Sequence, residues 1–215
     1  MARDPRHAAS FSSPIRLAAL AAVVWSGLAG PASAQTTLFQ PPPVDTDIGD
    51  EPGRVSTEEV FITEGPYKRQ LVFFRSTYAP GTVVIDTAER FLYVVLPDSR
   101  ALRYGIGVGR EGFQWAGMEI VSRKGEWPDW TPPPEMIRRQ PYLPRFMAGG
   151  PGNPMGARAF YLGKTEYRIH GTNQPETIGL AVSSGCFRLA NGDVIDLYSR
   201  VPVGARVVIR HARQL

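Results

Sequence analysis

Cys186 is the single cysteine in a chain of 215 residues, and it stands in the run Ser184-Gly185-Cys186-Phe187-Arg188, downstream of the pair His170-Gly171. A thiol attacks a carbonyl only as its thiolate, and a free cysteine titrating near pH ~8.5 is mostly protonated at neutral pH. It needs a base. The chain has three histidines: His7 lies near the N-terminus, His211 lies in the polar tail "RHARQL", and His170 closes the strand-like run "EYRIH". His170 is therefore the candidate base, able to take the thiol proton and later return it to a leaving amine. The bland alternative for Cys186 is a small buried hydrophobe.

Acyl transfer also needs donors for the negative oxygen of a tetrahedral intermediate, each worth on the order of 3 kcal/mol. Gly185 permits a tight turn before the sulfur, so the N–H groups of Ser184, Gly185 and Cys186 are candidate oxyanion donors. Arg188 is a candidate for pairing with a substrate carboxylate, with a structural salt bridge as its alternative. His170 needs an orienting partner on its second ring nitrogen; Asp193, Asp196 and a backbone carbonyl all stay open. One cysteine and one usable histidine fall short of the three or four ligands zinc takes, so no metal is expected. No cofactor is expected either.

The elements that must position these groups are mainly strands. Val83–Ile85, Phe91–Leu96 and Leu102–Val108 are β-branched or aromatic runs separated by "DTAER" and "PDSR", which predicts an antiparallel meander. "ARAFYLG", "EYRIHG" and "ARVVIR" add further strands. Two helices are expected. One is "PEMIRR", with Pro134 in its first turn; the other is "NGDVIDLYSRV", with Asn191 as its cap. The predicted architecture is a β-rich sandwich or partly closed barrel with helices at one edge. Residues 122–156 form the longest irregular stretch, and its Trp127, Trp130, Tyr142 and Phe146 imply packing. It is read as a cleft wall or lid, or else as a proline-braced strut.

The N-terminus has another character. Arg3, Arg6 and Arg16 precede the apolar run "LAALAAVVWSGLAG" and then "PASAQ", the pattern of a secretory signal over residues 1–34 with cleavage after Ala34. An uncleaved anchor is the alternative, although a spanning helix usually needs ~20 apolar residues. No cysteine near the cut offers a lipid attachment point. Residues 35–80 read as a Pro- and Gly-rich tether in which "RQLVFFRSTYAPGT" can hold a short strand, and Pro80-Gly81 marks the start of the domain at 81–215. Removing residues 1–34 takes away three arginines and one aspartate, lowering the formal charge from +4 to +2. The remaining basic residues are scattered, which argues against a nucleic-acid partner.

Taken together, "IHGTNQPETIGLAVSSGCFRL", "GTVVIDTAERFLYVV" and "GPGNPMGARAFYLG" resemble the L,D-transpeptidases of the YkuD type, over roughly Gly81 to Arg210. The resemblance implies a β-sandwich with a cysteine-bearing cleft, Cys186 as nucleophile, His170 as base and the Gly171 carbonyl as orienter of the imidazole. Arg188 matches the family's arginine, whereas Ser184 stands where histidine is frequent and Phe187 where isoleucine or valine is. It further implies an exported, periplasmic or cell-envelope enzyme acting on peptidoglycan stem peptides as donor and acceptor. Cys186 would form a thioester with a donor tetrapeptide, release D-alanine and yield a 3→3 cross-link, and carbapenems would acylate the same sulfur. Water as acceptor would make an L,D-carboxypeptidase, an envelope-protein amine would make an anchoring transferase, and a module without turnover would only bind the wall.

Overall fold

The computed structural model of the chain describes residues 63–211. The secretory-signal expectation over 1–34, and the tether up to residue 62, lie outside the described residues. Strand β1 (Gln70–Phe73) pairs antiparallel with the strand over Arg100–Gly105, so the sheet begins ahead of the Pro80-Gly81 boundary. Strands β2 (Val83–Asp86), β3 (Phe91–Leu96) and β4 (Arg100–Gly105) form the expected meander. Asp98 and Ser99 sit at φ 61 and 52 in the turn between β3 and β4. Two successive left-handed residues give a hairpin turn whose twist matches its strands. The third run does not continue to Val108, because the chain leaves the sheet after Gly105. Val108–Gly109 form a separate short strand, β5.

Strand β6 (Gly117–Glu126) is a correction to the sequence reading, which placed the start of the irregular stretch at Ser122. Of its ten residues only Val121 is fully buried, so no apolar alternation announces it. Its first part pairs with β11 (Arg206–Arg210) and its second with β7 (Arg158–Leu162), with a register irregularity between Val121 and Arg123. Beyond β7 come β8 (Arg168–His170) and β10 (Phe187–Arg188), while β9 (Ala181–Ser183) pairs with β5. The large sheet runs β1-β4-β3-β2-β11-β6-β7-β8-β10.

Val83, Ile85, Leu92 and Val207 from one half of that sheet meet Phe160, Ile169 and Phe187 from the other in a single core, together with Val194 and Leu197 of α2 (Asn191–Arg200). The sheet therefore doubles over at β6 and encloses its own apolar face, the mainly β sandwich expected from the sequence. Burial of such side chains contributes about 1.5–3 kcal/mol each before entropy is counted.

The irregular stretch has a small core of its own: Trp130, Met136, Leu143 and Met155 pack on Ala159. Helix α1 (Pro134–Arg139) contributes Met136 to it, as the proline-started helix requires. Asn153 ties the ends of the stretch, its Nδ2 donating to the carbonyls of Pro128, Met147 and Ala148 at 3.0–3.2 Å. Tyr142 and Phe146, expected to pack, are instead exposed.

Candidate active site

His170 is the last residue of β8 and Arg188 the last of β10, and these parallel strands place the two residues side by side. Ile169 and Phe187, one residue earlier on each strand, point the other way into the core, which fixes the direction of both chains. Gly107 exchanges backbone hydrogen bonds of 2.9 and 3.0 Å with Arg188, and Leu189 N–H donates to the His170 carbonyl at 2.8 Å. The ends of the two strands are thereby held from both sides.

The imidazole is buried, at 4% exposure, and its Nδ1 lies 2.6 Å from the carbonyl oxygen of Gly171. A carbonyl only accepts, so Nδ1 carries the proton and Nε2 keeps its lone pair. Burial above all, then the Arg188 guanidinium, push the His170 pKa down to about 3, against the pull of backbone hydrogen bonds to Gly171 and Met155. The histidine is therefore neutral at physiological pH.

Neither Asp193 nor Asp196 orients His170. Asp193 accepts from Thr63 N–H and faces Arg69, whereas Asp196 accepts from the Tyr104 hydroxyl at 2.6 Å and pairs with Arg69 and Arg200. Both belong to the joint between α2 and the segment entering β1. The helix cap also differs from expectation. Ala190 occupies the capping position, and Asn191 is the first helical residue. Its Oδ1 accepts from Ala157 N–H at 2.9 Å and Thr172 N–H at 3.3 Å. Two buried amides with no nearer acceptor outcompete the local cap, and Asn191 thus clamps the loop that presents the Gly171 carbonyl. The fit is close: a Cβ on Gly171 would collide with that Oδ1.

Cys186 is half-buried and opens on a cleft that His170 and Ser184 also line. Gly185 has φ +108, a conformation side chains resist, and a Cβ there would lie 2.6 Å from the Tyr167 ring. Trp115 Nε1–H donates to the Gly185 carbonyl at 3.0 Å while its ring stacks on Tyr167 at 4.5 Å. The Ser183 hydroxyl donates to the Cys186 carbonyl at 2.6 Å and accepts from Gly185 N–H at 3.2 Å. The turn is thus held on both of its faces. Of the three amides named from sequence as oxyanion donors, Gly185 N–H is turned toward Ser183.

Arg188 does not line the cleft. It is 1% exposed, among the largest fully buried side chains, and acts on His170 from behind. The cations that face the cleft are Arg139 of α1 and Arg168 of β8, and its far wall comes from Trp130, Met136 and Met155. Trp115, Tyr167 and Arg139 escaped the sequence reading, because none carries a motif and each acts through a tertiary contact; Ser183 stands inside the "SSGC" run but was given no role there. The one signal was the aromatic density of "GFQWAG" between strands. Among the described residues, no cluster of three or more His, Cys, Asp or Glu side chains could hold a metal ion.

Residues 80–209 match the family model YkuD, the L,D-transpeptidase catalytic domain. The chain belongs to this family. A curated relative from Escherichia coli K12, named probable L,D-transpeptidase ErfK/SrfK, is 43% identical over 153 residues, covering 65% of this chain and 48% of the relative. The chain thus spans about half the length of the first curated relatives it matches. A solved structure from Brucella melitensis, named a probable carnitine operon oxidoreductase, is 48% identical and covers 68% of this chain and 96% of that one, with TM-score 0.47. That name and the domain family disagree; membership here rests on the match over 80–209. The structure of the Ldtfm-avibactam carbamoyl enzyme, 17% identical, covers 63% of this chain and 51% of its own with TM-score 0.50, a likeness of fold alone. The L,D-transpeptidase catalytic domain thus comprises the doubled sheet and the cleft into which Cys186 opens.

Proposed function

We propose that the protein is an exported L,D-transpeptidase that builds 3→3 cross-links in peptidoglycan through a thioester on Cys186. The observation that carries the reading is the union of a thiol and a neutral, Nδ1-protonated imidazole on one cleft. Because burial and the Arg188 guanidinium disfavour imidazolium, the resting imidazole is neutral and its Nε2 is open to take the thiol proton as the sulfur attacks. Sγ bonds to the carbonyl carbon at the L-centre of diaminopimelate, and its proton goes to His170 Nε2. The oxygen takes the charge, with the amides of Ser184 and Cys186 as its donors. His170 then protonates the D-alanine nitrogen, the C–N bond breaks and the thioester remains. An amine of a second stem attacks next, giving its proton to His170, and as the C–S bond breaks the departing sulfur takes that proton back. Arg188 is a positioning residue in this scheme.

Residues 1–34 would direct export to the periplasm, and the segment that follows them, up to the residues that enter β1, would tether the catalytic domain. No helix among the described residues is long and apolar enough to cross a membrane. Water or an envelope-protein amine could resolve the same thioester. Incubation of the purified protein with disaccharide-tetrapeptide tests the reading: cross-linked dimer and free D-alanine are expected, tripeptide alone would indicate hydrolysis, and no turnover by folded protein would refute it. Acylation by a carbapenem, one adduct per chain and none in Cys186→Ser, is the companion test.

A further inference from the structure

We propose that Arg139 reads the terminal carboxylate of the donor's departing residue; this rests on the donor chemistry proposed above. Arg139 closes α1, is exposed to the cleft, and donates from Nη2 to the Ser184 hydroxyl at 3.2 Å. Ser184 lies two positions before Cys186, so the guanidinium sits at the rim of the turn that carries the nucleophile. Its carbon lies 4.8 Å from the Phe113 ring centre, and both residues line the cleft. No carboxylate among the described residues forms an ion pair with it.

The other charges of the cleft are differently engaged. Glu135 is tied to Arg138 at 2.6 Å, and Arg168 is held by the Glu166 carbonyl at 3.0 Å with the Glu166 side chain also on that wall. Each side of the cleft thus carries one arginine and one carboxylate, Arg139 with Glu135 on α1 and Arg168 with Glu166 beside β8, and on the α1 side the carboxylate is already paired with Arg138. In a tetrapeptide donor the D-alanine carboxylate is separated from the scissile carbonyl carbon by one nitrogen and one Cα, roughly 4 Å. An arginine bound to the nucleophile's own turn is placed for such an anion.

The test compares the donor tetrapeptide with its C-terminal amide, reading kcat/KM for release of D-alanine or D-alaninamide by the full chain. The wild type should prefer the acid by about 10–100-fold, the worth of a charge-assisted hydrogen bond. Arg139→Gln should reduce the preference to about threefold or less, and Arg139→Lys should keep part of it. Iodoacetamide alkylation of Cys186 at the wild-type rate shows that the fold and the nucleophile survive in each variant. Three results would each overturn the inference while leaving the donor chemistry intact: no preference in the wild type, a preference retained in Arg139→Gln, or its loss in Arg168→Gln instead. Failure of wild type to process either peptide, with Cys186 still alkylated, would remove the donor chemistry and this inference together.

Discussion

Asn191→Ala is the substitution that most sharply separates a clamp from a cap. As a clamp, Asn191 Oδ1 satisfies the amides of Ala157 and Thr172 at 2.9 and 3.3 Å, in a site where the residue is 5% exposed. Removing the acceptor strands two buried donors, each costing about 1–3 kcal/mol, with the longer contact toward the lower end. The sum is about 2–4 kcal/mol. At roughly 3 °C per kcal/mol for a domain of this size, the melting temperature should fall by about 6–12 °C. Asn191→Asp keeps the acceptor and adds charge at the positive end of α2, so it should recover more than half of that loss. Turnover of donor tetrapeptide should fall at least tenfold in Asn191→Ala, because the Gly171 carbonyl loses its hold on His170. Thermal melts and urea titrations of both variants decide the matter. A loss below about 1 kcal/mol in Asn191→Ala, or equal losses in the two variants, would refute the clamp.

Gly185→Ala must place a side chain at φ +108 and push the Tyr167 ring, which should cost about 1–3 kcal/mol in a denaturant titration and most of the activity. Wild-type turnover by that variant would show that the turn need not be left-handed. Trp115→Phe removes the hydrogen bond to the Gly185 carbonyl while keeping an aromatic ring on Tyr167, so kcat should drop about threefold to tenfold with a stability loss near 1 kcal/mol. The folded His170 pKa, about 3, lies below its ordinary value of 6.5, so the unfolded chain binds the extra proton. Stability from this group is therefore complete above about pH 6.5 and declines as pH falls toward 3, by on the order of 1 kcal/mol per unit. The difference in unfolding free energy between wild type and His170→Asn should shrink accordingly on acidification; a pH-independent difference would contradict the depressed pKa.

How much of this was legible in the sequence follows from where each signal resides. Val83–Ile85 and Phe91–Leu96 announced themselves because both faces of the sheet are covered there, leaving nearly continuous apolar runs. Strand β6 was invisible because it buries little beyond Val121 and is held by its two neighbours rather than by its side chains. The cleft pair was legible because cysteine and histidine are chemically rare here, and the orienting carbonyl of Gly171 came from the family resemblance rather than from spacing. Asn191 was seen as a residue but misread in its task, since a local cap and a tertiary clamp look identical in one dimension. Arg188 drew notice as a charge near the sulfur, yet its burial behind His170 depends on the parallel pairing of β8 and β10, which no local pattern encodes. Trp115 and Arg139 act across loops and left no periodic trace.

The central claim, that Cys186 takes the acyl group, is tested most directly by quenching the protein with donor tetrapeptide in acid and measuring its intact mass and peptide map. The account predicts a gain equal to the tetrapeptide donor minus D-alanine, confined to the peptide containing Cys186 and absent from Cys186→Ser. A donor turned over with no mass gain at any quench time, or with the acyl group on another residue, would contradict it.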